Sequence, residues 1–233
     1  FAPASVSISN DTIAEPDFIF LDNQSGTDSI YTITIVVTSA DGCTDTTTRD
    51  IIIYSRPVAG FSLPANACSP VAISPTDTSQ GPGLSYSWNV VPAISINSAN
   101  SASPVFNFPA VATDSAIYTI HLEVTDSNGC IDTTHQVYTV YPQPTAAFAP
   151  SVNDSCGPMT VTFANLSVSN ISNQHLGDLS FEWNFGNGQT STDSIPATTF
   201  VSSGVTDTNY IVSLKVTNIY GCTDSITDTI TVH

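Results

Sequence analysis

An alternation of apolar and polar residues recurs three times along the chain, in the phrases Tyr31–Thr38 (YTITIVVT), Tyr118–Thr125 (YTIHLEVT) and Tyr210–Thr217 (YIVSLKVT). A period of two marks a half-buried strand, so each phrase predicts one strand with its leading Tyr on the inner face. In the second copy Tyr118, Ile120, Leu122 and Val124 fall on that face, with Thr, His, Glu and Thr on the other. A turn follows each phrase and ends in Gly-Cys and then x-Asp: Gly42-Cys43-Thr-Asp45, Gly129-Cys130-Ile-Asp132 and Gly221-Cys222-Thr-Asp224.

The interval between copies is about 90 residues, too long for a solenoid repeat and close to the length of a whole β-sandwich domain. Cys68 and Cys156 form a second series with the same spacing. The repeat is therefore read as a domain. Boundaries fall where a closing strand meets Arg56-Pro57 and Gln143-Pro144, giving segments 1–55, 56–142 and 143–233. Proline at each boundary fixes φ and removes a donor, so the expected connection is stiff and nearly end to end. Within 56–142 the pattern predicts seven strands: Val58–Leu63, Val71–Thr76, Leu84–Val90, Ile94–Asn97, Val105–Phe108, Tyr118–Thr125 and Thr134–Val140. The third carries Tyr86 and Trp88 two residues apart, repeated as Phe181 and Trp183, which places both rings on one face. Trp88, Trp183, Tyr31, Tyr118 and Tyr210 are the candidate core anchors.

Residues 1–55 match only the closing half of a repeat, since Pro16-Asp-Phe18-Ile-Phe20 aligns with Pro104-Val-Phe106-Asn-Phe108. A half sandwich leaves an apolar face uncovered and an edge unpaired. The expectation is that residue 1 is a cut point in a longer chain, or that another chain donates the missing strands.

Composition narrows the function. Of 233 residues 41% are apolar and only 10% charged, with Thr, Ser, Val and Ile prominent, a profile of strands with almost no helix. Twenty acidic residues against three basic ones give a net charge of −17, which repels nucleic acid and anionic membranes. No apolar run approaches the ~18 residues that a membrane-spanning helix requires. Five cysteines at recurring positions point to an oxidising compartment, and an odd number leaves at least one without a partner in this chain.

The segment Phe181-Glu-Trp183-Asn-Phe-Gly186-Asn-Gly188, preceded by Gln143-Pro-Thr-Ala-Ala-Phe148 and followed by Tyr210–Thr217, resembles a PKD domain, a member of the immunoglobulin-like β-sandwich class. The second segment departs from that pattern, because Trp88-Asn-Val-Val lacks the Gly-x-Gly turn, and the Asp that the family carries after its Trp is Asn89 or Asn184 here. Asp114-Ser-Ala-Ile-Tyr118 is similar to the tyrosine corner of immunoglobulin folds, and Asp28–Tyr31 and Asp207–Tyr210 repeat it with one residue fewer. The tandem Gly-Cys-x-Asp-Thr endings resemble the repeats of giant bacterial surface adhesins, including gliding-motility adhesins exported by type IX secretion. PKD modules also accompany secreted chitinases and proteases. The fold class these resemblances imply is all-β, tandem immunoglobulin-like sandwiches arranged end to end.

In that topology the loop after the first strand and the turn before the last strand lie at opposite ends of a domain, a strand length of roughly 17–20 Å apart. A disulfide needs Cα atoms within about 7 Å. Head-to-tail stacking instead brings the first loop of one domain to the last turn of the next, so Cys68 is expected to meet Cys222, leaving Cys43, Cys130 and Cys156 to pair with repeats outside this segment. The intradomain pairs Cys68 with Cys130 and Cys156 with Cys222 are the alternative.

Acids near turns, such as Asp41, Asp45, Asp50, Asp126 and Asp132, raise the question of Ca²⁺ at domain junctions. No Asp-x-Asp-x-Asp-Gly loop occurs, and dispersed acids ordinarily serve solubility. His121, His135 and His175 each stand alone in sequence, His233 is terminal, and alternation puts His121 on an outer face. No Gly-x-Ser-x-Gly and no repeated Ser, His and Asp set is present, so no catalytic residue is assigned. The motif Asp-Ser/Thr followed by a small or aliphatic residue places possible O-glycosylation at Thr12, Ser29, Ser115, Ser194, Ser225 and Thr229. It resembles a motif of bacteria that make such adhesins. These features predict an extracellular, cell-surface structural or adhesive segment, a stalk, spacer or filament without cofactor. Its expected partners are neighbouring repeats of the same chain, and surface polysaccharide or other cells. Two alternatives are a carbohydrate-binding accessory module of a secreted hydrolase, and a filament subunit completed by strand donation.

Overall fold

The computed structural model describes residues 7–8, 11–172, 178–202, 204 and 206–233. They form an all-β structure with no α-helix among the described residues. In chain order the strands begin with β1 (Ser7–Ile8), β2 (Phe18–Ile19), β3 (Ser29–Thr38), β4 (Thr44–Ile53), β5 (Phe61–Ser62), β6 (Ala67–Cys68) and β7 (Val71–Ile73). Next come β8 (Thr76–Asp77), β9 (Ser85–Val91), β10 (Ser95–Asn97), β11 (Val105–Phe108), β12 (Ala116–Thr125), β13 (Ile131–Tyr141) and β14 (Phe148–Pro150). The last are β15 (Asp154–Ser155), β16 (Met159–Asn165), β17 (Leu179–Asn184), β18 (Thr190–Ser191), β19 (Ala197–Phe200), β20 (Thr208–Asn218) and β21 (Thr223–Val232).

One compact unit holds the described residues of Phe1–Pro64, Ser74–Val105 and Thr119–Gln136. In it β3 and β4 form a hairpin in register from Ser29 opposite Ile53 to Thr38 opposite Thr44, closed by a turn with Gly42 at φ +83°. Strand β9 pairs antiparallel with β12 and sets Trp88 opposite Leu122. Val90, Ile120, Leu122 and Val124 are buried, and the edge of Phe61 meets Trp88 at 5.0 Å. The indole N–H of Trp88 donates to the Ser101 carbonyl at 2.9 Å, so burial of the ring leaves no orphan donor.

The same inner-face positions on β3 are far more open. Tyr31 and Ile33 are half-buried, while Ile35 and Val37 are 55% and 58% exposed. Among the described residues β3 pairs only with β4, so no Trp-bearing strand lies along its other edge.

The second unit holds the described residues of Ala65–Ile73, Phe106–Tyr118 and Val137–His233. Strand β7 pairs antiparallel with β11, β6 runs parallel to the end of β13, and the Phe108 ring lies 4.8 Å from Tyr118 and 5.1 Å from Tyr138. Residues 143–233 build two sheets, in strand order β14-β16-β19 and β15-β21-β20-β17-β18. Between them lies one apolar core containing Val161, Phe163, Phe181, Trp183, Phe200 and Leu214.

Two predicted strands are shorter and more divided than alternation implied. Val58–Leu63 resolves into a Val58–Gln80 bridge and β5, which pairs with β8, before the chain resumes as β6 beside β13. Val71–Thr76 stops at Ile73. Pro64 and Pro75 stand at the two breaks, and neither can donate to a ladder.

Candidate functional site

The Gly-Cys-x-Asp turns hold the ends of the sandwich together. Asp132 Oδ2 accepts the backbone N–H of Ala59 at 2.8 Å, and Asp224 Oδ2 accepts that of Ala146 at 2.9 Å. Each carboxylate thus ties the last strand of its segment to the first, two residues past Pro57 or Pro144. Among the described residues the Asp45 carboxylate accepts only the adjacent Thr46 N–H. Asp45 and Asp132, with Asp41, Asp50 and Asp126, were candidates for Ca²⁺. Among the described residues none joins a group of three or more His, Cys, Asp or Glu placed to hold a metal ion.

Within the second unit the loop around Cys68 meets the turn around Cys222. The two cysteines are bonded, with Cα atoms 5.6 Å apart, and Cys222 is buried. Asn218 shapes the turn: its Oδ1 accepts the N–H groups of Tyr220 and Cys222, each at 3.0 Å, and its Nδ2 donates to the Pro142 carbonyl at 3.0 Å. Tyr141 and Tyr220 stack face to face, centroids 4.2 Å apart and planes within 11°. A second grip lies at Asp114, whose carboxylate accepts the Ser172 N–H at 2.6 Å and the Ser172 hydroxyl at 2.7 Å, while its own N–H donates to Asn170. Asp114 and Asn170 both sit at positive φ, near +60°, a region Asp and Asn tolerate better than most residues. The bonds from Ser172, that of its backbone N–H foremost, hold the Asp114 carboxyl below the usual carboxylate range. Cys68 is therefore not bonded to Cys130, nor Cys156 to Cys222, as the intradomain alternative would require.

Residues 142–233 match the PKD domain family. The chain has an immunoglobulin-like β-sandwich fold, PKD-like over those residues. Among solved structures it is similar to the PKD1 domain of the Vibrio cholerae metalloprotease PrtV, at 32% identity over 39% of this chain and 96% of that one, with a TM-score of 0.31. It is also similar to the PKD1 domain of Vibrio anguillarum Epp, at 29% identity over 39% and 94%, TM-score 0.31. Fibronectin(III)-like modules of Clostridium thermocellum CbhA share 10% identity over 76% of this chain and 92% of that one, TM-score 0.38. No curated protein matches the chain. PKD domains are extracellular structural and adhesive modules of a non-catalytic type.

The PKD-like turn after Trp183 depends on two residues. Asn184 Oδ1 accepts the Gly186 N–H at 3.0 Å, so an amide does at this position what the family's Asp would. Gly186 has φ +71°, and a Cβ there would lie 2.6 Å from the Ile211 carbonyl oxygen. The other candidate anchors divide by packing. Trp88, Trp183 and Tyr118 are buried, whereas Tyr210 is half-buried with its hydroxyl on the Val201 carbonyl at 2.8 Å, the reach of a tyrosine corner. Trp183 Nε1 donates to the Asp193 carbonyl at 3.0 Å, repeating the cap on Trp88. Tyr31 is half-buried and touches Phe20 at 5.1 Å. With Phe18, Ile33, Ile35 and Val37 it lines a groove of about 780 Å³ over β3.

Cys43 and Cys156 are exposed and Cys130 is half-buried, each unbonded. The surroundings of Cys156 repeat those of Cys68. Strand β15 runs parallel to β21 as β6 does to β13, and Gly157 N–H donates to the His233 carbonyl as Ser69 N–H does to Tyr141. His233 lies between Asp207 at 2.8 Å and Asp154 at 2.5 Å, and these bonds, that to Asp207 foremost, raise its pKa. His121 is exposed on the outer face of β12, and His135 on β13 lies beside it, a juxtaposition that reading each histidine alone missed. The signal was present, for the two are equally distant from Asn128 in the intervening turn. His175 lies outside the described residues. Of the glycosylation candidates, Thr12, Ser115, Ser194, Ser225 and Thr229 are exposed and Ser29 is half-buried.

Proposed function

We propose that this chain is a non-catalytic, extracellular structural segment of a bacterial surface adhesin, a stalk, spacer or filament of tandem PKD-like modules clipped end to end. The joint around Cys68 and Cys222 carries this reading. A covalent bond, a buried amide on a proline carbonyl, a tyrosine stack and the Asp114 clasp all link residues of segment 56–142 to residues of segment 143–233. Such a joint resists bending and shear, which a chain offering only an isolated binding module does not require. By the same geometry Cys156 takes the Gly-Cys turn of a following module, while Cys130 and Cys43 belong to preceding first loops. The six Asp-Ser/Thr sites decorate the surface with O-linked sugar, and the outward faces meet other cells or surface polysaccharide.

Single-molecule stretching tests the mechanical role. The Cys68–Cys222 bond spans 154 residues. At about 3.3 Å per residue it withholds roughly 500 Å of chain from extension. Full unfolding of the oxidised protein should stop short by that length, and dithiothreitol should release it. Equal contour lengths in both states would remove the clip from the mechanism.

The similarity to a PKD1 domain of a metalloprotease favours a second reading, an accessory module of a secreted hydrolase that holds insoluble polysaccharide. Retention on chitin or cellulose, with release by soluble oligosaccharide, would support it over the stalk. The open groove over β3 favours a third, a filament subunit whose first segment is completed by the strands of a neighbour. Concentration-dependent fibres in electron micrographs of the purified chain, lost on Ile35→Asp substitution in the groove, would support that one.

A further inference from the structure

One cross-strand position that carries hydroxyls in two copies of the repeat carries imidazoles in the other. Thr34 faces Thr48 across β3 and β4, and Ser213 faces Thr227 across β20 and β21. Counted from the Gly-Cys turn, the corresponding residues of β12 and β13 are His121 and His135. Their ring centroids are 5.5 Å apart with planes tilted by 32°. Both side chains are exposed, and among the described residues neither imidazole hydrogen-bonds another group.

We propose that His121 and His135 form a two-imidazole site for a late divalent transition ion, Cu²⁺, Ni²⁺ or Zn²⁺, with water completing its shell. An ion about 2.1 Å from one nitrogen of each ring lies roughly 3.2 Å from each ring centre, so two centres 5.5 Å apart subtend roughly 120°, an open tetrahedral angle. Imidazole suits these ions and not Ca²⁺ or Mg²⁺, which take oxygen ligands. Two ligands fixed on paired strands lose little freedom on binding, since the sheet has already set their separation. The same face carries Ser87, Asn89 and Val91 on β9, Thr133 and Val137 on β13, and Glu123 on β12 as its charged member. With a net charge of −17 the chain draws cations to its surface. An ion held there ties β12 to β13 on the side opposite the Trp88 core.

The test uses the whole chain with Cys43, Cys130 and Cys156 alkylated, so that thiols do not compete. Calorimetric titration with NiCl₂ or ZnCl₂ at pH 7.5 should show one ion per chain. Substoichiometric Cu²⁺ should broaden the proton resonances of His121 and His135 before those of His175 or His233. His121→Thr and His135→Thr each restore a residue found at this position in the first segment, so both variants should melt as the parent does without metal. Each should weaken ion binding at least tenfold. Undiminished affinity in both variants, or broadening that begins at His233, would overturn the assignment.

Discussion

Single side chains here act mostly by satisfying backbone groups at the ends of strands. Asp224 and Asp132 each hold the N–H of a first-strand residue, and the corresponding Asp45 holds only its neighbour. Asp224→Ala is therefore expected to cost about 1–2 kcal/mol in urea denaturation, because the N–H of the buried Ala146 loses its acceptor, and Asp45→Ala close to nothing. Asp126 presents the reverse case. Its Oδ1 accepts from Asn128 and Cys130 N–H, but its buried Oδ2 has no hydrogen-bond partner among the described residues. Asn218, at the same place in the next turn, uses an amide to reach the Pro142 carbonyl. Asp126→Asn should raise the melting temperature, an effect of about 1 kcal/mol if the new amide reaches the Ser55 carbonyl, the counterpart of Pro142. His233 gives the chain a pH dependence of definite sign. Its pKa rises on folding, so its contribution is complete below the ordinary value of 6.5 and disappears as pH climbs through the raised folded value. Asp114 acts oppositely, contributing above 3.8 and losing its contribution as pH falls through its lowered folded value. Denaturation of the parent and of His233→Gln across pH 5–9 should show a gap on the acid side that closes on the alkaline side.

Strands inherit their stability from what covers them, and β3 and β12 separate that effect from sequence. Both follow the same alternation, yet Leu122 is buried beside its cross-strand partner Trp88 while Ile35 is exposed. Leu122→Ala should cost about 2–5 kcal/mol. Ile35→Ala should stay within about 0.5 kcal/mol, as surface changes usually do. Thermal melts of the two variants decide the point. This contrast also shows what could be read in advance. Period-two spacing located Trp88, Trp183 and the inner face of β12, because a strand's faces are a local property. It did not reveal that the stretch from Val58 passes from a pairing with β8 to one with β13, since that depends on which distant strand offers free carbonyls. The adjacency of His121 and His135 required the register of two strands, which the Gly129 turn sets only once the hairpin closes.

At the scale of the molecule, the bond between Cys68 and Cys222 was legible in the spacing of the Gly-Cys phrases, because a recurring sequence phrase makes a rule about neighbours. The residues that finish the joint were not. Nothing in the sequence around Tyr141 and Tyr220 announces a stack, and the Asp114 clasp on Ser172 joins loops 58 residues apart in sequence. The bond between Cys68 and Cys222 takes unlike surfaces from its two sides, a first loop from one and a last turn from the other. An isologous contact closes on itself after two partners, whereas one of this kind leaves a first loop unused at one end and a last turn at the other. Any series built on it has a sense of direction, so growth, anchoring and capping become distinct chemical problems at its opposite extremities.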